Sequence, residues 1–356
     1  MGQSASSPAT GPHAPAGFGP HGADAGARPW AADETDAFVP VQAEPPRSET
    51  AADLTADRLL RRRSAPPSRG WRRAVWELTG RRVQPPETRA ERDRRDQRAR
   101  AQRPVSTGHH RVAVMSLKGG VGKTTTTVVL GATLADVRGD RVVAVDANPD
   151  RGTLAERVRL ETAGTVRDLL ADREQIQRYA DVRAFTSQAP SRLEVLASDR
   201  DPAVSEAFSA DDYGDVARVL ERFYSICLTD CGTGLLHSAM SGVLGLADQL
   251  VIVSSPAVDG ARSASATVDW LDAHGYRDLA GTAVVALTSV RRIRSGPVDI
   301  DGIVRHFSRR CRDVVRIPYD PHLVEGGEIA LDRLAPATAD AYLRLAAAVA
   351  DRFPGG

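Results

Sequence analysis

Residues 112–129 read VAVMSLKGGVGKTTTTVV. An apolar run over residues 112–117 breaks into a glycine-rich turn, and Lys123, four threonines and a second apolar run follow. That order predicts strand, phosphate loop and helix. Glycine removes the Cβ that would keep backbone N–H groups away from phosphate oxygens, so Gly119, Gly120 and Gly122, with Val121 between them, predict an amide cradle. The helix that follows turns its unsatisfied N–H groups toward the same anion, which draws in Thr124 and Thr125. Lys123 supplies a point charge for the β- and γ-phosphates, and the Thr124 hydroxyl is placed to ligate Mg²⁺.

The lysine distribution singles out the same loop. Lysine and arginine together number 47, yet only Lys118 and Lys123 are lysines, and both lie here. Everywhere else the chain uses arginine. A compact, flexible ammonium fits between phosphates where a planar guanidinium fork does not, which gives a physical reason for these two exceptions.

The 356 residues, 42% of them apolar, allow one large α/β domain with additional material. Net charge is +1, but it is unevenly spread: residues 61–103 carry 15 arginines against 5 acids, residues 1–60 are net −5, and residues 104–356 are net −4. Three cysteines, Cys227, Cys231 and Cys311, fit a reducing compartment and supply no disulfide framework. No apolar run reaches the roughly 20 residues of a transmembrane helix, and no secretory signal opens the chain. The expected location is cytoplasmic, with a peripheral place on a membrane complex left open.

Three domains are expected. Residues 1–57, rich in Ala, Pro and Gly, are expected to be a disordered leader. Residues 58–103 form an arginine-rich arm in which Trp71, Val75 and Leu78 recur at helical spacing, a candidate docking element, followed by residues 87–100 with both charge signs on every face. Residues 104–356 alternate strands and helices. Strands are expected at 111–117, 141–146, 193–197, 225–230, 250–254, 283–287 and 314–317, and helices at about 123–137, 203–221, 260–273, 300–312 and 337–351. The fold class is therefore α/β, a doubly wound and mostly parallel sheet, with ligand at the carboxyl ends of the strands.

Two acids end buried strands. Asp146 closes the second strand in VVAVDANPD, where a carboxylate beside a phosphate loop would order metal-bound water. Asp230 closes the run before Cys231, Gly232, Thr233 and Gly234, as a Walker B carboxylate and a switch II glycine would. Each also has a plain structural reading as an acid opening a turn.

Residues 117–125, LKGGVGKTT, fit the xKGGxGKTT mark of the MinD/ParA family of deviant Walker A ATPases, and the chain resembles that family over about residues 110–352. The resemblance implies a P-loop fold, ATP and Mg²⁺ as cofactors, and ATP-dependent homodimers in which Lys118 reaches the partner's phosphates. It implies a catalytic role for Asp146 and a base-lining role for Pro318 and Asp320 in IPYD, while Thr288 stands where many relatives have a base-contacting asparagine. Asn148, the chain's only asparagine, replaces the family's usual second aspartate, so turnover is expected to be slow. The usual guanine motif needs a further lysine, which the chain lacks.

Within the family, the cysteines lack iron–sulfur spacing, the closing VADRFPGG is no membrane-binding amphipathic helix, and no tyrosine-rich tail is present. The leader, GWRRAVWELTG, the arginine-rich arm and DANPDRGTLAERV look like the actinobacterial MinD-like ATPases associated with type VII (ESX) secretion, implying a protein partner that docks through the arm. A ParA-like DNA-segregation ATPase is the competing reading, with Arg305, Arg309 and Arg312 on one helical stripe and Arg291, Arg292 and Arg294 on a nearby loop. ATP binding with negligible hydrolysis is the third.

Overall fold

The structure is a computed structural model that describes residues 78, 87–106, 108–148, 152–199, 208–234, 237–292 and 298–355. All of them belong to the unit Pro67–Gly356. The leader, Trp71, Trp76 and Arg294 lie outside the described residues.

Helix α1 (Arg89–Ala101) precedes strand β1 (His110–Met115), after which come α2 (Lys123–Val137), β2 (Val142–Ala147) and a 3₁₀ turn at Leu154–Arg157. Short helices α3 (Val166–Ala171) and α4 (Tyr179–Arg183) lead to β3 (Ser187–Gln188) and β4 (Glu194–Leu196). Then follow α5 (Ala210–Leu220), β5 (Ile226–Cys231), α6 (Ser238–Leu246), β6 (Gln249–Ser254), α7 (Val258–Ala273) and α8 (Arg277–Gly281). The described chain closes with β7 (Val284–Thr288), α9 (Ile300–Phe307), β8 (Asp313–Ile317), α10 (Pro321–Val324) and α11 (Pro336–Ala350).

The strands form one sheet in the order β3-β4-β2-β5-β1-β6-β7-β8, parallel throughout except where β3 meets β4. Alternate residues of each strand serve opposite faces. Val112 and Val114 of β1 pack with Leu130 and Leu134 of α2 and with Tyr342 and Leu345 of α11. Ala113 and Met115 belong to the other layer, with Val216 and Leu220 of α5, Leu244 of α6 and Leu271 of α7. Gly131 lets α2 approach closely, since a Cβ there would stand 2.9 Å from Leu193 Cδ1. With β1 between β5 and β6, the strand order reverses at its carboxyl end, where such sheets bind ligands.

All seven expected strands are present, with ends displaced by at most two residues. The antiparallel β3 was unforeseen because two residues carry no periodicity. The expected helix at 203–221 begins, in its described part, at Ala210, where Ser209 Oγ accepts the Asp212 N–H at 3.1 Å and the Asp212 carboxylate accepts the Ser209 N–H at 3.0 Å. The helix expected at 300–312 ends at Phe307: the Cys311 N–H caps the Phe307 carbonyl at 2.8 Å, and the Arg312 N–H already joins the Ala283 carbonyl at 3.0 Å. Arg305, Arg309 and Arg312 therefore do not share one helical stripe.

The mixed-charge stretch at 87–100 is the capped helix α1, whose Thr88 and Glu91 exchange hydrogen bonds. It packs along α11. Arg94 donates to Asp340 at 2.6 Å, and Asp351, just past α11, accepts from Arg100 Nε at 3.1 Å and Arg103 at 2.9 Å, with Arg312 at 3.5 Å. Gln102 Nε2 donates to the Val137 carbonyl at 2.7 Å and Arg138 to the Ala101 carbonyl at 3.0 Å, tying the same junction to the end of α2.

Burial pushes the Asp351 carboxyl up, but the Arg100 hydrogen bond and the nearby arginine charges outweigh it and hold the group below the usual carboxylate range. A depressed carboxyl contributes stability above its unfolded pKa of about 4 and loses it as pH falls through the folded value. Asp351→Ala is therefore expected to speed hydrogen exchange of the 89–101 amides about tenfold or more at neutral pH, equivalent to roughly 1.4 kcal/mol, while strand amides stay protected. Wild-type α1 should show comparable exposure only below about pH 4.

Candidate functional site

The phosphate loop leaves β1 at Met115 and is pinned at its start by Ser116, whose Oγ accepts the Lys118 N–H at 3.2 Å. Gly120 (φ 75°) and Gly122 (φ 90°) adopt the left-handed backbone that a side chain would strain, and Gly122 is the N-cap of α2. No acid of α2 itself occupies its first turn, whose positive end faces the loop.

Lys123 is 8% exposed and Asp230, at the end of β5, is 1% exposed. Lys123 Nζ donates to Asp230 Oδ1 at 2.9 Å, Thr124 Oγ1 to Asp230 Oδ2 at 2.6 Å, and Thr127 Oγ1 to Oδ1 at 3.2 Å. The sequence-predicted lysine, threonine and Walker B acid are thus one hydrogen-bonded unit.

Asp146 joins them through sheet register, because β2 pairs with β5 so that Asp146 stands directly beside Asp230. Its carboxylate accepts the N–H of Asn148 at 3.1 Å and of Leu154 at 3.0 Å. Burial first, and the Asp230 charge second, push Asp146 up to about 7 despite those two bonds and Lys123. Gly152 is required here: any Cβ would fall on Ser198 Oγ and the Asp146 carboxylate. Asn148 is half-buried beside Asp146, and Thr153 Oγ1 reaches Thr124 Oγ1 at 3.4 Å.

Two buried carboxylates share one buried lysine, with a threonine hydroxyl between loop and acid. This all-oxygen donor set fits a divalent cation of the Mg²⁺ type, which binds through one or two carboxylates and keeps water and phosphate oxygens as its other ligands. Asp230 and Thr124 are the residues that would hold it.

On the other side of the loop lies a pocket of about 260 Å³, lined by Gly120, Gly122 and Thr125, by Pro318 and Asp320, and by Thr288, Tyr342 and Arg157. Asp320 shapes rather than opens it, since its two oxygens accept the N–H groups of His322 at 3.0 Å and Ala335 at 2.9 Å. The Thr288 hydroxyl is engaged by the carbonyls of Val121 and, at 3.2 Å, Ser254. Gly234 is exposed in the loop after β5, away from this pocket's walls. Lys118 leans outward and pairs with Asp259 at the start of α7, both side chains well exposed.

Sequence reasoning passed over Arg157, one arginine among many, and over Thr127 and Gly152. For Gly152 the signal was its position six residues past Asp146 in a turn; for Thr127, its place one helical turn beyond Lys123. The three cysteines are free and buried, and burial pushes the Cys227 and Cys231 thiols up to about 12, so they are inert here. No described helix is long and apolar enough to cross a membrane.

Between about pH 4 and 7 the folded chain keeps a proton on Asp146 that the unfolded chain has lost, so through this group the ligand-free fold weakens as pH rises. Asp230→Asn removes the like charge. Its melting temperature should fall less than that of the wild type between pH 5 and 7, and an equal or steeper fall would show that the two acids do not interact.

Residues 112–353 match the CobQ/CobB/MinD/ParA nucleotide binding domain. The chain is 40% identical over 287 residues to the ESX-1 secretion-associated protein EspI of Mycobacterium tuberculosis, a match that takes in 80% of this chain and spans 42% of the length of EspI. It is 29% identical over 164 residues to the septum site-determining protein MinD of Synechocystis, across 46% of this chain and 59% of that one. A ParA family ATPase from Chlorobium tepidum superimposes with a TM-score of 0.57 at 18% identity, covering 67% of this chain and 98% of that one. MinD of Pyrococcus horikoshii, solved with Mg-ADP, gives 0.52 at 22% identity, covering 67% and 94%. With its parallel sheet, its phosphate loop and this match, the chain belongs to the MinD/ParA family of nucleotide-binding P-loop ATPases.

Proposed function

We propose that the protein is an ATP-operated switch: it binds ATP with Mg²⁺, pairs with a second copy in that state, hydrolyses slowly and docks a protein machine of the type VII secretion kind. The observation that carries the reading is the buried unit of Lys123, Thr124 and Asp230 at the mouth of the phosphate loop. In this reading the loop amides from Gly119 to Thr125 hold the α- and β-phosphates, and Lys123 turns from Asp230 toward the β- and γ-phosphates. Thr124 and Asp230 hold the cation, which when bound neutralises charge on the phosphate oxygens. Asp146 accepts a proton from, or orders, the water nearest the γ-phosphate, with Asn148 beside it. An amide orients water but takes no proton, which keeps hydrolysis slow. Pro318, Asp320 and the pocket they line hold the base, and Gly234 moves with the γ-phosphate.

Lys118 supplies the dimer dependence. Its pair with Asp259 is exposed and solvent-screened, so it breaks readily in favour of a second copy's phosphates. The similarity to EspI supports the secretion branch. Docking is assigned to residues 58–88, because residues 89–103 are already engaged by α11 and the end of α2. The DNA reading is the weaker one: Arg305 pairs with Asp299 at 3.0 Å, Arg312 lies 3.5 Å from Asp351, and Arg310 bonds Asp269 and Asp272. Each of these arginines lies beside an acid of its own chain, whereas non-specific DNA affinity needs uncompensated charge.

Lys118→Ala should bind Mg·ATP with unchanged affinity but sediment as a monomer with ATP and lose phosphate release by about 10³-fold. A dimer in ultracentrifugation with unimpaired turnover would refute the trans role. Asn148→Asp restores a carboxylate and should raise single-turnover hydrolysis about tenfold or more.

A further inference from the structure

Arg157 ends the 3₁₀ turn Leu154–Arg157 and forms part of the wall of the 260 Å³ pocket, facing Gly120, Gly122 and Thr125 of the phosphate loop and Pro318 beyond them. Its Nε is sealed from solvent without a hydrogen-bond partner, and among the described residues no carboxylate pairs with the guanidinium. A guanidinium on a pocket wall that no acid of its own chain neutralises keeps its outer N–H groups available to a ligand's acceptors. The backbone is fixed, since the Arg157 carbonyl accepts the Ile329 N–H at 2.9 Å.

The pocket is on the nucleoside side of the site. Lys123, Thr124 and Asp230, which mark the terminal phosphates and the cation, do not line it, whereas Thr125 and the loop after β8 do. A planar guanidinium suits a purine there, either lying against the ring face or meeting a ring nitrogen edge-on with its N–H groups.

We propose that Arg157 is a nucleoside-binding residue that contacts the purine of the bound nucleotide; this rests on the ATP-binding reading above. The same turn also carries Leu154, whose N–H holds Asp146 at 3.0 Å, and follows Thr153, 3.4 Å from Thr124.

The test uses the full chain and two probes, Mg·ATP and Mg·tripolyphosphate, which shares the phosphates and lacks the nucleoside. Arg157→Leu should bind Mg·ATP about 10- to 100-fold more weakly by calorimetry while its affinity for Mg·tripolyphosphate stays within about twofold of wild type. Arg157→Lys, a cation without the planar fork, should recover part of the loss, and Arg157→Gln serves if the leucine variant does not fold. Undiminished ATP affinity, or equal losses for both probes, overturns the assignment and leaves the ATP reading standing. A wild-type chain that retains neither probe overturns both.

Discussion

Sheet register forces two carboxylates together. Asp146 and Asp230 are neighbours across β2 and β5, both are almost fully buried, and one buried lysine faces them. In a medium that screens poorly, this arrangement persists only if each charge is answered, which happens here by Lys123, two hydroxyls and two backbone N–H groups, with the proton on Asp146 absorbing what remains. Much of the local backbone follows from that need. The loop must bring Lys123 inward, which sets the left-handed glycines before α2. The turn after β2 must direct N–H groups at Asp146, which leaves no room for a side chain at Gly152. On the proposed function, a bound triphosphate with a divalent cation would change this balance, the phosphates drawing Lys123 away from Asp230 and the cation taking its place.

The turn at residues 153–157 gains its importance from the same constraint. It is short and touches Thr124 through Thr153, the buried Asp146 carboxylate through Leu154 and the proposed base pocket through Arg157. These contacts lie within five consecutive residues.

The sheet was legible because strands buried on both faces are written as continuous apolar runs, and β1, β2, β5, β6 and β7 are of that kind. The phosphate loop was legible because its spacing is chemically narrow. Short helices escaped because α3 and α4, of 6 and 5 residues, have no room for periodicity; the Thr165–Asp168 capping box was their readable trace. The same signal, Thr88 with Glu91, marks α1, where mixed charge concealed a helix held by ion pairs rather than by an apolar stripe. The stripe assigned to Arg305, Arg309 and Arg312 failed because Cys311 closes the helix early and hands the chain to β8. Arg157 could not be singled out at all, since in an arginine-biased chain its distinction is a missing partner, which only three-dimensional neighbours reveal.

The two lysines show why residue type alone does not assign a role. Lys123 is enclosed with a buried carboxylate, so moving it without a replacement cation would leave Asp230 unanswered, and it stays in place until ligand arrives. Lys118 stands a few residues away on the same turn, yet its partner Asp259 is solvated and loses little when the pair opens. One ammonium is thus enclosed with a buried carboxylate, and the other sits in a solvated pair that opens at little cost. Arginine would serve poorly at either place: its fork would bind both Asp230 oxygens at Lys123, displacing Thr124, and at Lys118 it would lengthen the hold on Asp259. The restriction of lysine to these two positions is what the difference between a fixed and an exchangeable cation requires.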